Sequence, residues 1–252
     1  MKPVTRVRVV DLETTGSKPP AHAVCEIGWQ EVVLQDNGRW VLNEEQGSQL
    51  INPGRTIPPV TMAVHHILDY DVKDAPFWDE VAPSILKPDG GAAALAAHRA
   101  SFAQRFCLPK LTGGARWIFT WKCALHLWPD SPGFSNQVLR YWRMPDGLDQ
   151  AKGLPVHRAF PDAYVTAHHL RDQLNEAGLE QLLSSSAEPG LLPRVPYGND
   201  RGRYWRDLSS ETLRRYTSDR NEDVRFSADN EMARRGEGMN TTPSMSAQQT
   251  LL

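Results

Sequence analysis

Two carboxylates occupy alternate positions of a strongly apolar segment near the start of the chain. The run TRVRVVDLE (residues 5–13) is rich in β-branched residues, which predicts a strand. Because side chains alternate between the two faces of a strand, Asp11 and Glu13 project from the same face as Val7 and Val9. Carboxylates on one buried face repel each other and lose hydration. Two explanations are open: the acids lie at a strand end that reaches solvent, or they bind a cation such as Mg²⁺ or Mn²⁺.

A third carboxylate candidate lies in HRAFPDAYVTAHHL, residues 157–170. Asp162 is in the first turn of a predicted helix, with Pro161 at its first position, and the helix dipole favours an ionised acid there. His157 precedes it in a loop. Each feature alone is common on protein surfaces. In combination with DLETTG, residues 11–16, they indicate a reaction site.

The order of the predicted elements indicates an α/β fold. Residues 5–13, 23–36 and 39–52 form a predicted strand meander, and RWIFTW (116–121) is a later strand. Segments with apolar residues at helical spacing lie between and after them, whereas AAALAAH (92–98) fits a strand or a helix. We therefore predict a mixed sheet flanked by helices.

We predict four regions along the chain: a first domain at 1–185, a linker at 186–196, a small module at 197–236, and a disordered polar tail at 237–252. In the small module, a hairpin precedes one or two helices, the first capped by Ser209 or Ser210.

The segment RGRYWR (201–206) mixes arginine with Tyr204 and Trp205, a combination that binds single strands. Nearby acids offset the arginines, so a solvated structural module is the alternative.

Composition narrows the class of protein. The net charge of −2 provides no overall basic field, so a polyanion must be held by a local patch or by bound cations. The three cysteines have no zinc-site spacing, and their odd number argues against a disulfide framework. No apolar stretch approaches the roughly 20 residues that span a bilayer, and the N-terminal segment has no apolar signal region. We expect a cytoplasmic protein.

Three motifs, in order, resemble the DEDDh 3'-5' exonucleases of the ribonuclease H-like superfamily, which include proofreading subunits, ribonuclease T and exonuclease X-like proteins. These are DLETTG (11–16), AHRASFAQRF (97–106) and HRAFPDA (157–163), and the resemblance extends over about residues 5–182. It implies a five-stranded ribonuclease H-like sheet and two Mg²⁺ or Mn²⁺ ions that clamp the scissile phosphate.

The resemblance also implies the roles of individual residues. Asp11, Glu13 and Asp162 match the metal-binding acids, and His157 matches the general base, because imidazole exchanges protons near neutral pH. The implied substrate-binding residues are Thr14, Thr15, Gly16, His66 and Phe102. Phe102 would stack on a base, although its helical spacing to Phe106 is also typical of core.

One acid of the family pattern is missing. Ala103 follows Phe102, where the family has an acidic residue, and Arg99 replaces the asparagine of the same motif. Alanine offers no metal ligand, so we expect weak binding of the second ion and impaired turnover. The alanine fits either a naturally altered member of the family or a deliberate inactivating substitution. Retention of the other site residues favours the substitution.

The resemblance implies a 3'-to-5' exonuclease that acts on DNA 3' ends. Two other functions stay open at this point. One is a catalytically inactive protein that binds 3' ends, and the other is an RNA-trimming exoribonuclease, which would be distinguished mainly at the 2'-hydroxyl. Homodimerisation is a further expectation from related exonucleases.

Overall fold

The computed structural model describes residues 5–237, and the chain divides into two compact units between Glu188 and Pro189. The first unit contains a five-stranded sheet in the order β3-β2-β1-β4-β5. Its strands are β1 Arg6–Thr14, β2 Val24–Leu34, β3 Trp40–Leu50, β4 Ala94–Ala97 and β5 Trp117–Phe119. The first three strands pair antiparallel, whereas β4 runs parallel to β1 and to β5. The predicted mixed sheet of an α/β fold is therefore confirmed.

Helices cover the sheet. In the first unit they are α1 Pro59–His65, α2 Asp69–Val72, α3 Trp78–Leu86, α4 Ala100–Ala103, α5 Pro109–Thr112, α6 Thr120–Leu127, α7 Asn136–Arg143, α8 Ala159–Ala177 and α9 Leu179–Ala187. The longest is α8, whose buried Ala163, Ala167, Leu170 and Leu174 recur every three or four residues. This spacing forms one apolar stripe, and the helix packs on β1, β2 and β3.

The alternation along β1 separates two hydrophobic cores. Val10 and Leu12 pack in a cluster with residues of α3, α4 and α5. Val7 and Val9, on the other face, pack in a cluster with residues of α6, α8 and α9. Because Asp11 continues the second series, it lies on the face that α8 covers.

Three local predictions needed adjustment. The ambiguous AAALAAH segment contains a strand, β4, which is hydrogen-bonded between β1 and β5. The strand predicted at 116–121 is shorter, because α6 begins at Thr120. Pro161 is the third residue of α8 rather than its first, since the helix begins at Ala159. A proline is tolerated there because first-turn N–H groups have no partner within the helix.

The second unit has a core of its own. An antiparallel bridge joins Arg194 to Tyr204, and a 3-10 turn Trp205–Asp207 leads to α10 Ser210–Tyr216 and α11 Glu222–Arg234. The core comprises Val195, Trp205, Leu208, Leu213, Val224, Ala228 and Met232. Ser209 is the N-cap of α10, where its hydroxyl accepts a hydrogen bond from the backbone of Thr212.

The segment 186–196, expected as a linker, overlaps the end of α9 at Ala187 and includes Val195, which is buried in the second unit. Of the expected disordered tail 237–252, only residue 237 lies within the described part of the chain. Between residues 5 and 237, no helix combines the length and the apolar character that crossing a membrane requires.

The RGRYWR segment has a structural role in the second unit. Trp205 is buried, and its indole N–H donates to the carbonyl of Leu192 at 2.7 Å. Arg194 and Arg206 stack on Tyr204, with guanidinium carbons 3.9 and 4.4 Å from the ring centroid. Because these contacts occupy both aromatic side chains, the geometry favours the structural alternative over base stacking.

Candidate active site

The two acids of β1 lie opposite specific residues of β2. Asp11 pairs with Gly28, and Glu13 pairs with Glu26. Asp162, in the first turn of α8, completes a cluster in which one carboxylate oxygen from each of the three acids lies within 4.8 Å of the others. The structure therefore brings together the three acids that the sequence predicts as metal ligands.

Gly28 allows α8 to approach the sheet at main-chain contact. A Cβ atom at this position would lie 2.2 Å from the carbonyl carbon of Ala159 and 2.2 Å from the backbone nitrogen of Phe160. No side chain fits in that space, so glycine is required by the close approach. Since Gly28 is the partner of Asp11, the start of α8 lies beside that acid.

Glu26 fixes the start of α8 and was not predicted as a site residue. It is buried, and its carboxylate accepts hydrogen bonds from the backbone N–H of Ala159 at 3.0 Å and from the guanidinium of Arg158 at 2.9 and 2.6 Å. An acid near a helix N-terminus is stabilised by the helix dipole and by free N–H groups. A lone glutamate within the apolar run AVCEIGW was the available sequence signal.

His157 and Asp162 are linked through the backbone. The N–H of His157 donates to Oδ2 of Asp162 at 2.8 Å, and Gln137 donates from its side-chain amide to Oδ1 at 3.0 Å. His157 adopts a left-handed backbone conformation with φ of 60°, which is uncommon outside glycine. These contacts place the exposed imidazole at the same cavity as the acids.

The pKa values of all three carboxylic acids are raised, with burial as the largest cause. Burial raises the pKa of Asp11 well above its usual value of 3.8, and repulsion from Glu13 adds to this effect. Burial, with repulsion from Asp162 and Glu26, raises the pKa of Glu13 to about 8, although Arg158 opposes the shift. Burial also raises the pKa of Asp162, against the hydrogen bonds that it accepts.

This donor set fits a divalent cation. Carboxylates that cannot all ionise together are stabilised in ionised form when a cation lies among them, and oxygen ligands suit hard ions of the Mg²⁺ type. Asp11, Glu13 and Asp162 are the residues that would hold such an ion. Within residues 5–237, theirs is the cluster of metal-ligand side chains that meets this spacing.

The acids open into a cavity of about 660 Å³. Its walls are formed by Asp11, Leu12, Glu13, Thr14, Thr61, Val64, His65, His98, Arg99, Phe102, Ser135, Asn136, Gln137, Val156, His157 and Asp162. Phe102 is half-buried, with its ring 5.6 Å from that of Phe106, so it contacts both the cavity and the core. Both expectations for Phe102 are therefore compatible with its position.

Thr14 lines the cavity, whereas Thr15 and Gly16 do not belong to its walls. The hydroxyl of Thr15 accepts from the backbone N–H of Ala23 at 3.0 Å, and Thr15 is 1% exposed. Gly16 has φ of 152° and approaches His22 closely. The TTG segment therefore shapes the loop after β1, with Thr14 facing the site.

His65, rather than the predicted His66, lines the cavity. His66 is exposed at the end of α1 in a left-handed conformation, with φ of 59°. His65 is buried and accepts a hydrogen bond at Nδ1 from the backbone of Ile67 at 3.0 Å. Burial lowers the pKa of His65. Thr61, one turn earlier on α1, also lines the cavity, so this face of the helix borders the site.

Ala103 lies outside the cavity walls. It is the last residue of α4, is 3% exposed, and packs in the core cluster with Phe106. Its methyl group offers no ligand atom for a metal ion held by the three acids.

His98 was not predicted as a site residue. Its Nε2 lies 2.8 Å from the carbonyl of Phe134 and its Nδ1 lies 3.0 Å from the hydroxyl of Thr120. Since a carbonyl only accepts, Nε2 carries the proton and Nδ1 accepts from Thr120. Burial lowers the pKa of His98 to about 4, so the ring is neutral and joins β4 to the neighbouring elements.

Three converging carboxylates and a histidine at one cavity of a mixed sheet are a set of groups suited to metal-assisted hydrolysis of phosphodiester bonds. Comparisons with known proteins agree with this class. A family model described as "Exonuclease" (RNase_T) matches residues 9–108. Exodeoxyribonuclease 10 of Escherichia coli strain K12 is 33% identical over 205 residues, which are 81% of this chain and 85% of that protein.

Solved structures show the same fold. Exonuclease X, in a complex with 5' overhanging duplex DNA, is 33% identical with a TM-score of 0.59, covering 71% of this chain and 99% of that one. Cell-death related nuclease 4 (CRN-4) is 13% identical with a TM-score of 0.52, covering 69% of this chain and 65% of that one. The chain belongs to the exonuclease family that includes Exodeoxyribonuclease 10, and its sheet is of the ribonuclease H-like type.

Proposed function

We propose that this protein is a metal-dependent exonuclease that releases nucleotides from DNA 3' ends. The convergence of Asp11, Glu13 and Asp162 beside His157 is the observation that carries this function. DNA is favoured over RNA because a relative of 33% identity is named an exodeoxyribonuclease and a structure of equal identity contains DNA.

The three acids are proposed to hold Mg²⁺ or Mn²⁺, with two ions in the fully occupied site. When bound, such ions lower the pKa of water and stabilise charge on the phosphate and on the leaving 3' oxygen. The protein provides the fixed geometry. Gly28 and Glu26 hold α8 against β2, so that Asp162 lies beside the β1 acids before any substrate arrives.

His157 is the proposed general base. It lines the same cavity as Asp162, and its backbone N–H is held by that carboxylate. The exposed imidazole accepts a proton from the attacking water and returns it to solvent. Removing this proton during attack increases the nucleophilicity of the oxygen that forms the new bond to phosphorus.

We propose that the terminal nucleotide binds along the wall formed by Thr14 and Phe102. Thr14 lines the cavity, and Phe102 presents part of its ring there, which suits stacking on a base. Thr15 and Gly16 come directly after Thr14 in the chain, so their backbone is proposed to lie next to the terminal nucleotide. His66 is exposed at the end of α1, so it would contact only nucleotides that extend beyond the cavity.

Ala103 supports a second candidate function. Without a fourth acid the second ion has fewer ligands, and slow or absent cleavage follows. A protein that retains the other groups and cleaves poorly would bind 3' ends without degrading them. The two functions differ in the consequence of replacing Ala103 by an acid.

The test uses 5'-labelled single-stranded oligonucleotides of DNA and RNA with Mg²⁺ or Mn²⁺. The protein, Ala103→Asp and Ala103→Glu are compared, and Asp162→Asn is the inactive control. We expect shortening of DNA from the 3' end to increase at least about tenfold in one acidic variant, because even residues that only orient metal ligands commonly contribute about 10- to 100-fold to metal affinity or activity.

If neither acidic variant shortens DNA or RNA, the exonuclease proposal fails. Tight binding that depends on the 3' end, without shortening, would then establish the binding function. Equal or faster shortening of RNA would instead identify an exoribonuclease.

A further inference from the structure

Among the lining residues of the active-site cavity that belong to the described range 5–237, Arg99 is the one lysine or arginine. When ionised, the acids at this cavity repel a nucleic-acid backbone, and the net charge of the chain provides no compensating field. The positive charge of Arg99 at this cavity therefore complements the negative charge of a phosphate group.

The side chain of Arg99 is supported by an aromatic ring. Its guanidinium carbon lies 3.8 Å from the ring centroid of Trp121, which is itself 7% exposed. Stacking of this kind holds the guanidinium plane in one orientation, and a guanidinium is a group that recognises phosphate oxygens through charge and N–H donation. Arg99 itself is exposed, so a ligand can reach it.

The position of Arg99 in the chain brings it close to the proposed nucleotide wall. It follows the end of β4 directly after His98, and it precedes α4, which carries Phe102. A nucleic-acid strand that places a base on Phe102 therefore has its phosphates near Arg99, the residue that precedes the same short helix.

We propose that Arg99 binds a backbone phosphate of the strand that enters the cavity, with Trp121 as a positioning residue for the guanidinium. This inference rests on the proposed function and adds a phosphate contact that needs no metal ion. Because the charge belongs to the chain, the contact persists when Ala103 leaves a cation site incomplete.

The test measures binding of a 5'-fluorescein DNA oligonucleotide with phosphorothioate linkages at its 3' end, by fluorescence anisotropy in Mg²⁺. Salt is varied from about 50 to 200 mM, a range over which phosphate contacts weaken measurably. Arg99→Gln is expected to bind about tenfold more weakly at low salt. The slope of the logarithm of the association constant against that of salt should decrease in magnitude by about 0.7, which corresponds to one phosphate contact on a single strand.

Two variants separate charge from orientation and from general effects. Arg99→Lys should keep the salt slope and lose part of the affinity, because a lysine retains the charge without the planar stack. Arg116→Gln removes the same charge from an exposed residue outside the cavity, where Arg116 pairs with the exposed Glu180. It should bind as the unmodified protein does.

An unchanged slope and affinity in Arg99→Gln would overturn this inference, while trimming by the protein or its acidic variants would leave the proposed function standing. An equal loss in Arg116→Gln would also overturn it. If Arg99→Gln does not fold, the Arg99→Lys variant tests the proposal instead. Weaker DNA binding by Arg99→Lys with an unchanged salt slope supports the proposal, and binding as tight as that of the unmodified protein overturns it. Absence of both trimming and 3'-end binding in every variant defeats the proposed function itself.

Discussion

At the scale of single residues, the buried Glu13 lowers the stability of the metal-free protein at neutral pH. Its pKa of about 8 means that the folded state must keep it protonated at neutral pH, which costs free energy relative to the unfolded chain. We expect Glu13→Gln to stabilise the chelator-treated protein at pH 7 by about 2 kcal/mol. The same variant should lose most of the stabilisation that Mg²⁺ provides, because it lacks a carboxylate ligand.

Thermal unfolding with a chelator and with excess Mg²⁺ measures both effects. Glu44→Gln is the matched control, because Glu44 is exposed on β3 and lies outside the active-site cavity. A destabilised Glu13→Gln in chelator would contradict the raised pKa of Glu13, and an undiminished response to Mg²⁺ would contradict its assignment as a metal ligand.

The same scale shows what the sequence predicts about the site. The alternation of β1 alone places Asp11 and Glu13 on one face, because a strand has a period of two. The importance of Glu26 depends on strand register, which the local sequence does not specify. The choice between His65 and His66 depends on which side of α1 faces the cavity, and two adjacent residues of one type give no preference.

At the scale of elements, the junction between β2 and α8 controls the position of Asp162. We expect Gly28→Ala to destabilise the protein by more than about 3 kcal/mol, because the added methyl group meets the backbone of Ala159 rather than a movable side chain. Any folded fraction should bind Mg²⁺ more weakly, since α8 can relieve the overlap only by moving away from β1. Urea unfolding and the Mg²⁺-induced thermal shift are the measurements.

Ser48→Ala is the control for this junction. Ser48 pairs with Gly28 from β3 and is exposed, so removing its hydroxyl should change stability by less than about 0.5 kcal/mol. A Gly28→Ala protein as stable and as responsive to Mg²⁺ as this control would show that α8 tolerates displacement.

The boundaries of helices and strands show where the local sequence pattern is insufficient to predict secondary structure. AAALAAH became a strand because Ala94 pairs with Val7 and Ala96 pairs with Ile118, and both contacts are distant in sequence. Alanine itself favours a helix, so only the two neighbouring strands decide its conformation. By contrast, α8 follows from the sequence, because its apolar stripe extends over 19 residues.

At the scale of the whole molecule, we expect the second unit to lose stability in acid through one carboxylate, that of Glu231. In the second unit, hydrogen bonds from Arg234, with a further one from Arg235, lower the pKa of Glu231 to about 2. Its usual value is 4.5, so its stabilising effect is complete above about pH 4.5 and is lost as the pH falls towards 2. The difference in unfolding free energy between the protein and Glu231→Gln should therefore shrink across this interval.

Urea unfolding at several pH values between about 2 and 7 tests this dependence. Asp229→Asn is the control, because Asp229 is an exposed acid of the same helix, α11. A Glu231→Gln difference that stays constant down to pH 2 would show that the ion pairs with Arg234 and Arg235 contribute no stability.

The described residues that line the active-site cavity lie between positions 11 and 162, within the first unit, and the second unit has a core that is built from its own residues. The proposed ligand set is therefore contained in a single unit. Loss or exchange of the second unit would leave every residue of the candidate site in the chain.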